Sequence, residues 1–541
     1  MSRAERRPPS DASHHVFQPA RGIVGGRCAP LVRAGCVPSR DQRRRIRFDR
    51  RAAGVRPCAL VCSACLARTF TVLAKRSYKL WGDPLKPVKK VLLDLVETSN
   101  ISVRSSDELI GKVEAAIAAD DKTRRENKDE PLRRKPRLAT IPRAELSRQM
   151  EVNLWDVLHT LGRATALSWR GAGRGLAEHW GSLKYNQALE GGADSFLSLT
   201  EEGRQIADQY KNLQSGELGV GFALTLAKHL LGQRFPEHSV TIVPADTALR
   251  AGWALTSRDK GHKVKYRYRP QYFAEVWRPG EPSLVIPVAS KGNHSNAVTS
   301  AGQLASASVH AEAVHIGEWN ETPSLLFSTE LPTDGTVTVH ALQAPGRGGW
   351  LTAPSGKSEA NLDAEPVQEN VMPGIQPPRE GGVIPEAVSG CHVTPEYYTW
   401  FQETLGHTAA AGLMAFTGSG KATARHLTER QGYKRFQGFE HAASGSVQDI
   451  SHELLGDTYA GTDHVFRLNG PRVEAFSGVD AKLFRLISEG GVEEYRAIVH
   501  TTRHTRPRLA WDKKWGGPVS IHPDGSVLAI RLLPGERRSR R

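Results

Sequence analysis

The pattern of apolar and polar positions is clearest in the stretch from Arg267 to Leu331. Short apolar runs with alternating polar residues predict strands, and apolar residues three and four apart predict helices. The pattern predicts six consecutive elements: a helix at 216–231, strands at 238–246, 266–277 and 284–291, a helix at 303–315 and a strand at 324–328. We therefore expect an α/β core, a mixed sheet flanked by helices, across residues 216–345.

Outside this core, the pattern divides the chain into further segments. Amphipathic spacing predicts one helix at 86–97 and a second that starts at the capping sequence 105–108, and the two can pair as a hairpin. The predicted segments are a disordered Arg-rich region at 1–70, a helical hairpin and charged linker at 71–140, a helical domain at 141–215, a disordered linker at 346–390 and a separate α+β domain at 391–535.

The C-terminal segment carries its own turn signals. Asn469-Gly470 has the two-residue turn that twisted strands prefer, and Pro523-Asp524-Gly525 lies between two apolar runs, so both predict β-hairpins. The stretches 421–431 and 447–455 read as helices. These elements together predict an α+β arrangement.

Composition and charge change this division only at the N-terminus. The chain has 541 residues, of which 39% are hydrophobic and 24% charged, as is typical of soluble globular proteins. No apolar run approaches the ~20 residues that span a bilayer, so we expect no membrane partner. The net charge is +16, and residues 1–51 hold thirteen arginines against four acidic residues. This balance is compatible with a nucleic-acid partner but does not require one.

The cysteines are concentrated in the same N-terminal region. Cys62 and Cys65 have the spacing of half a zinc knuckle, but a second pair at a fixed distance is missing, which favours buried cysteines over zinc. After residue 66 the sole cysteine is Cys391, so nothing indicates disulfides or secretion. We therefore expect a cytoplasmic protein.

The order of the core elements and one motif resemble the PD-(D/E)xK nuclease superfamily. In that family Pro-Asp begins one strand, and an acid, any residue and a lysine end the next. Here Pro270-Gln271 and Ala289-Ser290-Lys291 stand at those positions, so the lysine matches while Gln271 and Ala289 replace the two signature acids. The resemblance covers residues 216–345 and implies a restriction-endonuclease-like fold for this core.

The resemblance also implies Mg²⁺ held by carboxylates, with the lysine activating water or steadying the phosphate. Other acids must then replace the missing ones: Asp246 ends a neighbouring strand, Glu217 begins the preceding helix, and Glu312 lies on the following helix. Glu275 lies too far along its strand to replace the acid missing at Gln271, and we expect it to be exposed. The predicted catalytic residues are Lys291, Asp246, Gln271 and Glu217, and the predicted metal ligands are Asp246, Glu217 and Glu312.

Three functions are consistent with these residues. The first is Mg²⁺-dependent hydrolysis of DNA by a homodimer, in restriction or in defence against mobile elements. The second is the same core without catalysis, as a module that binds DNA or a protein. The third is nucleotide binding through Gly418–Lys421, which resembles a phosphate-binding loop but has Ala415 for the first glycine and Ala422 for the hydroxyl. For this third function, the apolar run 412–416 would have to be a strand.

Overall fold

The structure is a computed structural model that describes residues 86–167, 179–192, 195–253, 258–259, 262–263, 268–352, 362, 374–379, 381–437, 450–506 and 508–534. The predicted Arg-rich segment 1–70 and the Cys62/Cys65 pair lie outside these residues.

The helices are α1 (Val88–Asp94), α2 (Asp107–Glu126), α3 (Leu154–Thr165), α4 (Glu201–Arg204), α5 (Asp208–Arg234), α6 (Ala245–Arg250), α7 (Ala297–Glu312), α8 (Tyr398–Phe416), α9 (Gly420–Arg425), α10 (Ala481–Glu489) and α11 (Val492–Thr502). The strands are β1 (Thr98–Arg104), β2 (Gln149–Asn153), β3 (Leu189–Glu190), β4 (Ser198–Leu199), β5 (Ser239–Pro244), β6 (Arg258–Asp259), β7 (His262–Lys263), β8 (Tyr272–Trp277), β9 (Ser283–Asn293), β10 (Val314–Ile316), β11 (Ser324–Glu330), β12 (Thr338–Ala344), β13 (Trp350–Leu351), β14 (Cys391–Val393), β15 (Ile450–Leu454), β16 (Asp457–Arg467), β17 (Arg472–Asp480), β18 (Arg508–Asp512), β19 (Gly517–Ile521) and β20 (Ser526–Leu532).

An eight-stranded mixed sheet holds the predicted core, in the order β2-β1-β12-β11-β9-β8-β5, with β13 pairing with the start of β9. β5, β8 and β9 are antiparallel neighbours, and a turn with Gly280 at φ 75° joins β8 to β9. β9 and β11 are parallel, so their connection needs a crossover, which α7 supplies. The sheet is buried on both faces, by α5 on one and by α7 and α2 on the other. The predicted mixed α/β fold is confirmed.

Helix α5 covers one face of this sheet. Leu218, Phe222 and Leu226 recur every fourth residue along it and are fully buried, because residues at this spacing share one side of a helix. Among the described residues, no helix is both long and apolar enough to cross a membrane.

The predicted helical hairpin at 71–140 is wrong, because a strand separates its two helices. β1 alternates buried and less buried residues, which is the period of a strand, and it pairs with β12 and β2. α1 packs near β19 and β20, whereas α2 packs on α7. The segment 141–215 supplies β2 to the same sheet, so in the described residues it is not a purely helical domain.

The charged run that follows α2 is attached to the protein. α2 continues to Glu126, and the chain then passes over α7, where Arg134 Nη1 donates to the carbonyl oxygen of Ala305 at 3.0 Å. Lys135 is only 3% exposed, and its ammonium lies 3.6 Å from a carboxylate oxygen of Glu312. The described part of the predicted charged linker is therefore packed on α7, because these cations bind a carbonyl oxygen and a buried carboxylate of that helix.

The C-terminal segment forms a second sheet, which is antiparallel and ordered β15-β16-β17-β20-β19-β18. Both predicted hairpins are present, β16–β17 around Asn469-Gly470 and β19–β20 around Pro523–Gly525. Within the predicted helix 447–455, residues Ile450–Leu454 form strand β15 instead, which pairs along its whole length with β16. The two sheets share no strand, and the division into separate domains stays a prediction.

Part of the predicted linker 346–390 is also folded. Trp350 and Leu351 form β13, which pairs antiparallel with Leu284 and Ser283 at the start of β9. Further along, Ile375 is fully buried and exchanges backbone hydrogen bonds with Val388. Trp350, Leu351 and Ile375 therefore belong to folded structure and not to a free linker. Residues 353–361, 363–373 and 380 lie outside the described residues.

Candidate functional site

The predicted lysine and its neighbour lie where two adjacent strands end. Gln271 precedes β8 and Lys291 lies near the end of β9. Gln271 Nε2 donates to the Ser290 carbonyl oxygen (2.8 Å), and the Ser290 amide donates to Gln271 Oε1 (3.0 Å). Ala289 packs against α7, so Lys291, two residues further along the strand, points to the same side. Lys291 therefore lies on the α7 side of the sheet, and both ends of the Gln271 amide are hydrogen-bonded to backbone.

The end of β9 is held firmly by α7. Gln303 Nε2 donates to the carbonyl oxygen of Gly292 at 2.8 Å, while its Oε1 accepts from Asn293 (3.1 Å) and from the Ser328 hydroxyl (2.7 Å). One amide therefore fixes β9 and β11 together beside Lys291.

A cleft of about 380 Å³ opens next to these strand ends, and we call it the strand-end cleft. It is lined by Pro244, Asp246, Arg269, Pro270, Gln271, Tyr272 and His310. Asp246 lies in the first turn of α6, where Arg269 Nη2 donates to its Oδ2 at 2.7 Å and Arg250 lies at 3.9 Å. Asp246, the predicted metal ligand, is therefore paired with arginine on this wall.

Lys291 adds a third positive charge beside the cleft, after Arg269 and Arg250. Burial lowers the pKa of Lys291, and no neighbouring acid offsets this effect. Burial and then the charge of Lys291 lower the pKa of His310, which lines the cleft. Across the described residues, Lys291 forms no side-chain hydrogen bond or ion pair, so its ammonium group is available to a ligand.

The other two predicted acids lie elsewhere. Ser215 and Gly219 of α5 face the end of β9, so Glu217, between them, lies on the other side of the helix. There it accepts from the hydroxyl of Tyr185 (2.6 Å) and pairs with Lys184 (2.7 Å).

Glu312 is 1% exposed and holds the charged run onto the end of α7. It pairs with Arg133 (3.2 Å), Lys135 (3.6 Å) and the Nε2 atom of His315 (3.0 Å). Both Glu217 and Glu312 are therefore already matched by partners outside the strand-end cleft.

The residues at the cleft do not fit a Mg²⁺ site. Mg²⁺ takes six oxygen ligands and in proteins is usually held by one or two carboxylates free to bind it. Here the one carboxylate is paired with Arg269, Gln271 is bonded to backbone, and Ala289 offers no ligand. In the part of the chain that the structure describes, no group of three or more His, Cys, Asp or Glu residues is arranged to hold a metal.

Glu275 is buried, contrary to the expectation of an exposed strand residue. Its two carboxylate oxygens accept from Arg496 of α11 at 2.9 and 3.1 Å. The Arg496 guanidinium also lies 4.0 Å from the ring centroid of Trp277. The pair joins the first sheet to α11 and is structural.

The loop at Gly418–Lys421 has the wrong context for binding phosphate. The run 412–416, expected to be a strand, belongs to helix α8. The amides of Gly418 and Ser419 donate to the carbonyl oxygens of Ala415 and Met414, so they are already used by the end of α8. The loop is therefore a turn between two helices, with Lys421 exposed.

Sequence reasoning missed two groups of residues. Arg269 and His310 line the cleft, but an arginine beside a proline and a single helical histidine carry no distinctive pattern. The second group is a buried polar cluster in which His522 Nε2 bonds to Asp156 at 2.9 Å across 366 residues of sequence. No spacing rule connects residues so far apart.

Comparison of the chain with protein-family models, with curated protein sequences and with solved structures found no match.

Proposed function

We propose that the protein binds the phosphate backbone of DNA at the strand-end cleft and does not cleave it. The observation that carries this proposal is the charge balance: Arg250, Arg269 and Lys291 lie in or beside the cleft together with one carboxylate, Asp246. Cationic side chains that neutralise phosphates supply the sequence-independent part of DNA affinity.

Two further features support a nucleic-acid ligand. The order of helix α5, antiparallel β5, β8 and β9, crossover helix α7 and parallel β11 agrees with the order expected for a restriction-endonuclease-like core. Lys291 can donate up to three hydrogen bonds, which suits a phosphate oxygen. This supports the second of the three functions considered from the sequence.

Hydrolysis is the less favoured alternative because its acids are missing. Metal-assisted cleavage needs carboxylates that hold the ion near the phosphate. Glu217 and Glu312 are paired elsewhere, and Asp246 is paired with Arg269. A lysine without a carboxylate partner among the described residues is suited to binding a phosphate.

The test is the affinity of the full chain for a fluorescent DNA duplex, measured by anisotropy at several salt concentrations. We expect Lys291→Ala to weaken binding at every sequence and to lower the slope of log K against log[salt] by about 1, as for one lost phosphate contact. Because the Arg-rich segment 1–70 is present in both proteins, the difference between them reports the cleft alone.

Lys90→Ala is the matched control, since Lys90 is exposed on α1, away from the first sheet. Equal salt slopes for Lys291→Ala and wild type contradict the proposal. Plasmid nicking that requires Mg²⁺ and is lost in both Lys291→Ala and Asp246→Ala contradicts the proposal that DNA is not cleaved. That result would support hydrolysis instead.

A further inference from the structure

A second cavity, of about 210 Å³, lies between the free edge of the first sheet and the helices and turn of the C-terminal segment. All seven residues from His238 to Pro244 line it, so edge strand β5 forms one wall. The opposite walls come from α3, α5, α8, α11 and the β19–β20 turn. Gly232, Pro236 and His504 line it and are exposed, so the cavity reaches solvent there.

Most of this cavity is apolar. Leu167, Leu224, Val240, Ile242 and Val499 contribute aliphatic surface to it. Val240 and Ile242 are partly exposed although they lie in β5 of the first sheet. A cavity of about 150 Å³ with such walls holds a benzene ring, so this one has room for a ring with a small substituent.

A cation, the Lys228 ammonium, lies on the wall of the cavity. The Lys228 ammonium contacts His522 Nδ1 at 3.5 Å, and within the described ranges it forms no ion pair with a carboxylate. Since His522 Nε2 bonds to Asp156 at 2.9 Å, His522 accepts from Lys228 on one side and donates to Asp156 on the other. Burial lowers the pKa of Lys228, and the nearby charges of Asp524 and Asp156 offset part of this effect.

The nearby acid is not available to Lys228 as a direct partner. Asp524 Oδ2 accepts from Arg163 at 3.0 and 3.2 Å, and its Oδ1 accepts from the amide of Ser526 at 3.0 Å. Burial opposes ionisation of Asp524, but Arg163 and His522 outweigh it and hold its pKa well below the usual range. Arg163 is thus the hydrogen-bonded partner of Asp524, while Lys228 acts on this carboxylate through space.

A polar group on the cavity wall also lacks a partner. Thr160 is 2% exposed, lines the cavity, and its hydroxyl forms no hydrogen bond with the described residues. A buried hydroxyl without a partner costs free energy, which a ligand oxygen could recover. Together Lys228 and Thr160 offer an ammonium and a hydroxyl to one ligand.

We propose that this cavity binds a small monocarboxylic acid whose apolar body packs between Leu224 and β5 and whose carboxylate pairs with Lys228. A cationic ligand is disfavoured because Arg163, Lys228 and Arg503 all line the cavity. A bare inorganic anion is disfavoured because the aliphatic walls would then remain uncovered. The proposal does not depend on DNA binding.

The position of the cavity connects it to the strand-end cleft. Pro244 lines both spaces, since β5 runs along the cavity and α6, with Asp246, begins directly after it. A ligand that packs on β5 therefore contacts the element that places Asp246.

The test compares phenylacetate with its neutral amide, phenylacetamide, by isothermal titration calorimetry on the full chain. The two differ in charge but hardly in shape. We expect wild type to bind the acid about tenfold or more tightly than the amide, because a charge-assisted hydrogen bond in a buried site is strong. Equal affinities, or no heat with the acid at about 10 mM, overturn the proposal.

Two variants locate the binding. Lys228→Met keeps the length of the side chain and should remove the preference for the acid. Gly412→Leu should abolish binding of both probes, because Gly412 lines the cavity and a Cβ there meets no atom closer than 3.9 Å. Lys90→Met, outside the cavity, should bind like wild type. Acid binding that persists in Gly412→Leu places it elsewhere and contradicts the proposal; the acid–amide comparison in wild type holds even if a variant fails to fold.

Discussion

Arg496 and Glu275 form a buried ion pair between distant parts of the chain. Glu275 is fully buried in β8. Arg496 donates two hydrogen bonds to its carboxylate and makes a cation–π contact with the ring of Trp277. Such a pair contributes little net stability compared with an apolar replacement, but it is costly to break. Removing one partner leaves the other charged and buried.

We therefore expect Glu275→Gln to lower the free energy of unfolding by about 3–5 kcal/mol, measured by urea denaturation. Glu429→Gln is the control, because Glu429 pairs with Lys434 on the exposed surface and its loss should leave the midpoint unchanged. Equal midpoints for the two variants would show that Arg496 finds another partner.

The same contrast explains which residues of the candidate site could be predicted. Lys291 could be placed because its position depends on strand period, a local property. The partners of Asp246, Glu217 and Glu312 could not, because the fold brings an arginine or lysine to each of these carboxylates. A carboxylate in a sequence carries no sign of whether a metal or a cation will neutralise it.

Helix α5 and strand β9 approach each other unusually closely, and two glycines make this contact. A Cβ on Gly292 would overlap the backbone oxygen of Ser215, and one on Gly219 would lie 2.9 Å from the backbone oxygen of Lys291. Because backbone meets backbone here, neither element can yield by changing a side-chain rotamer. The contact therefore fixes the position of the Lys291 backbone relative to α5.

Gly292→Ala should therefore push β9 away from α5, destabilise the protein by about 1–3 kcal/mol and weaken DNA binding as Lys291 moves. The control is Gly302→Ala on α7, where an added Cβ meets nothing within 4 Å and should stabilise the helix by about 0.5–1 kcal/mol. Thermal melting and the anisotropy assay measure both effects. Unchanged melting in Gly292→Ala would contradict the close approach.

Elements with strong periodicity could be predicted, and those defined by distant partners could not. The strands and helix between residues 238 and 331 have long apolar runs, and their order was predicted. β1 is short, with polar Thr, Ser and Asn at alternate positions, and it is a strand because β12 and β2 pair with it. The apolar run 412–416 suits a buried strand or a buried helix equally, and the apolar residues before it make it the end of α8.

The two sheets share one buried interior although they share no strand. Leu528 and Ile530 of β20 belong to the same buried cluster as Leu218 and Leu230 of α5. Trp155 of α3, fully buried, donates its Nε1 hydrogen to the carbonyl oxygen of Leu528 at 2.9 Å. Residues 84–541 form one compact unit by their internal contacts. A sequence read from one end to the other shows where each sheet lies but not that they pack together.

This shared interior predicts a single cooperative unfolding transition for the sheets. Leu230→Ala in α5 and Leu528→Ala in β20 should each lower the free energy of unfolding by about 2–5 kcal/mol, because both remove side chains that are at most 1% exposed. Urea unfolding followed by tryptophan fluorescence and by far-ultraviolet circular dichroism should give coincident curves that both variants shift together. If the C-terminal sheet instead folds as an independent domain, two transitions will appear and each variant will shift only one. If the two unfolding curves coincide in both variants, the two sheets unfold together. A ligand bound in the cavity beside β5 would then stabilise both sheets, because residues of both parts of the chain form that cavity.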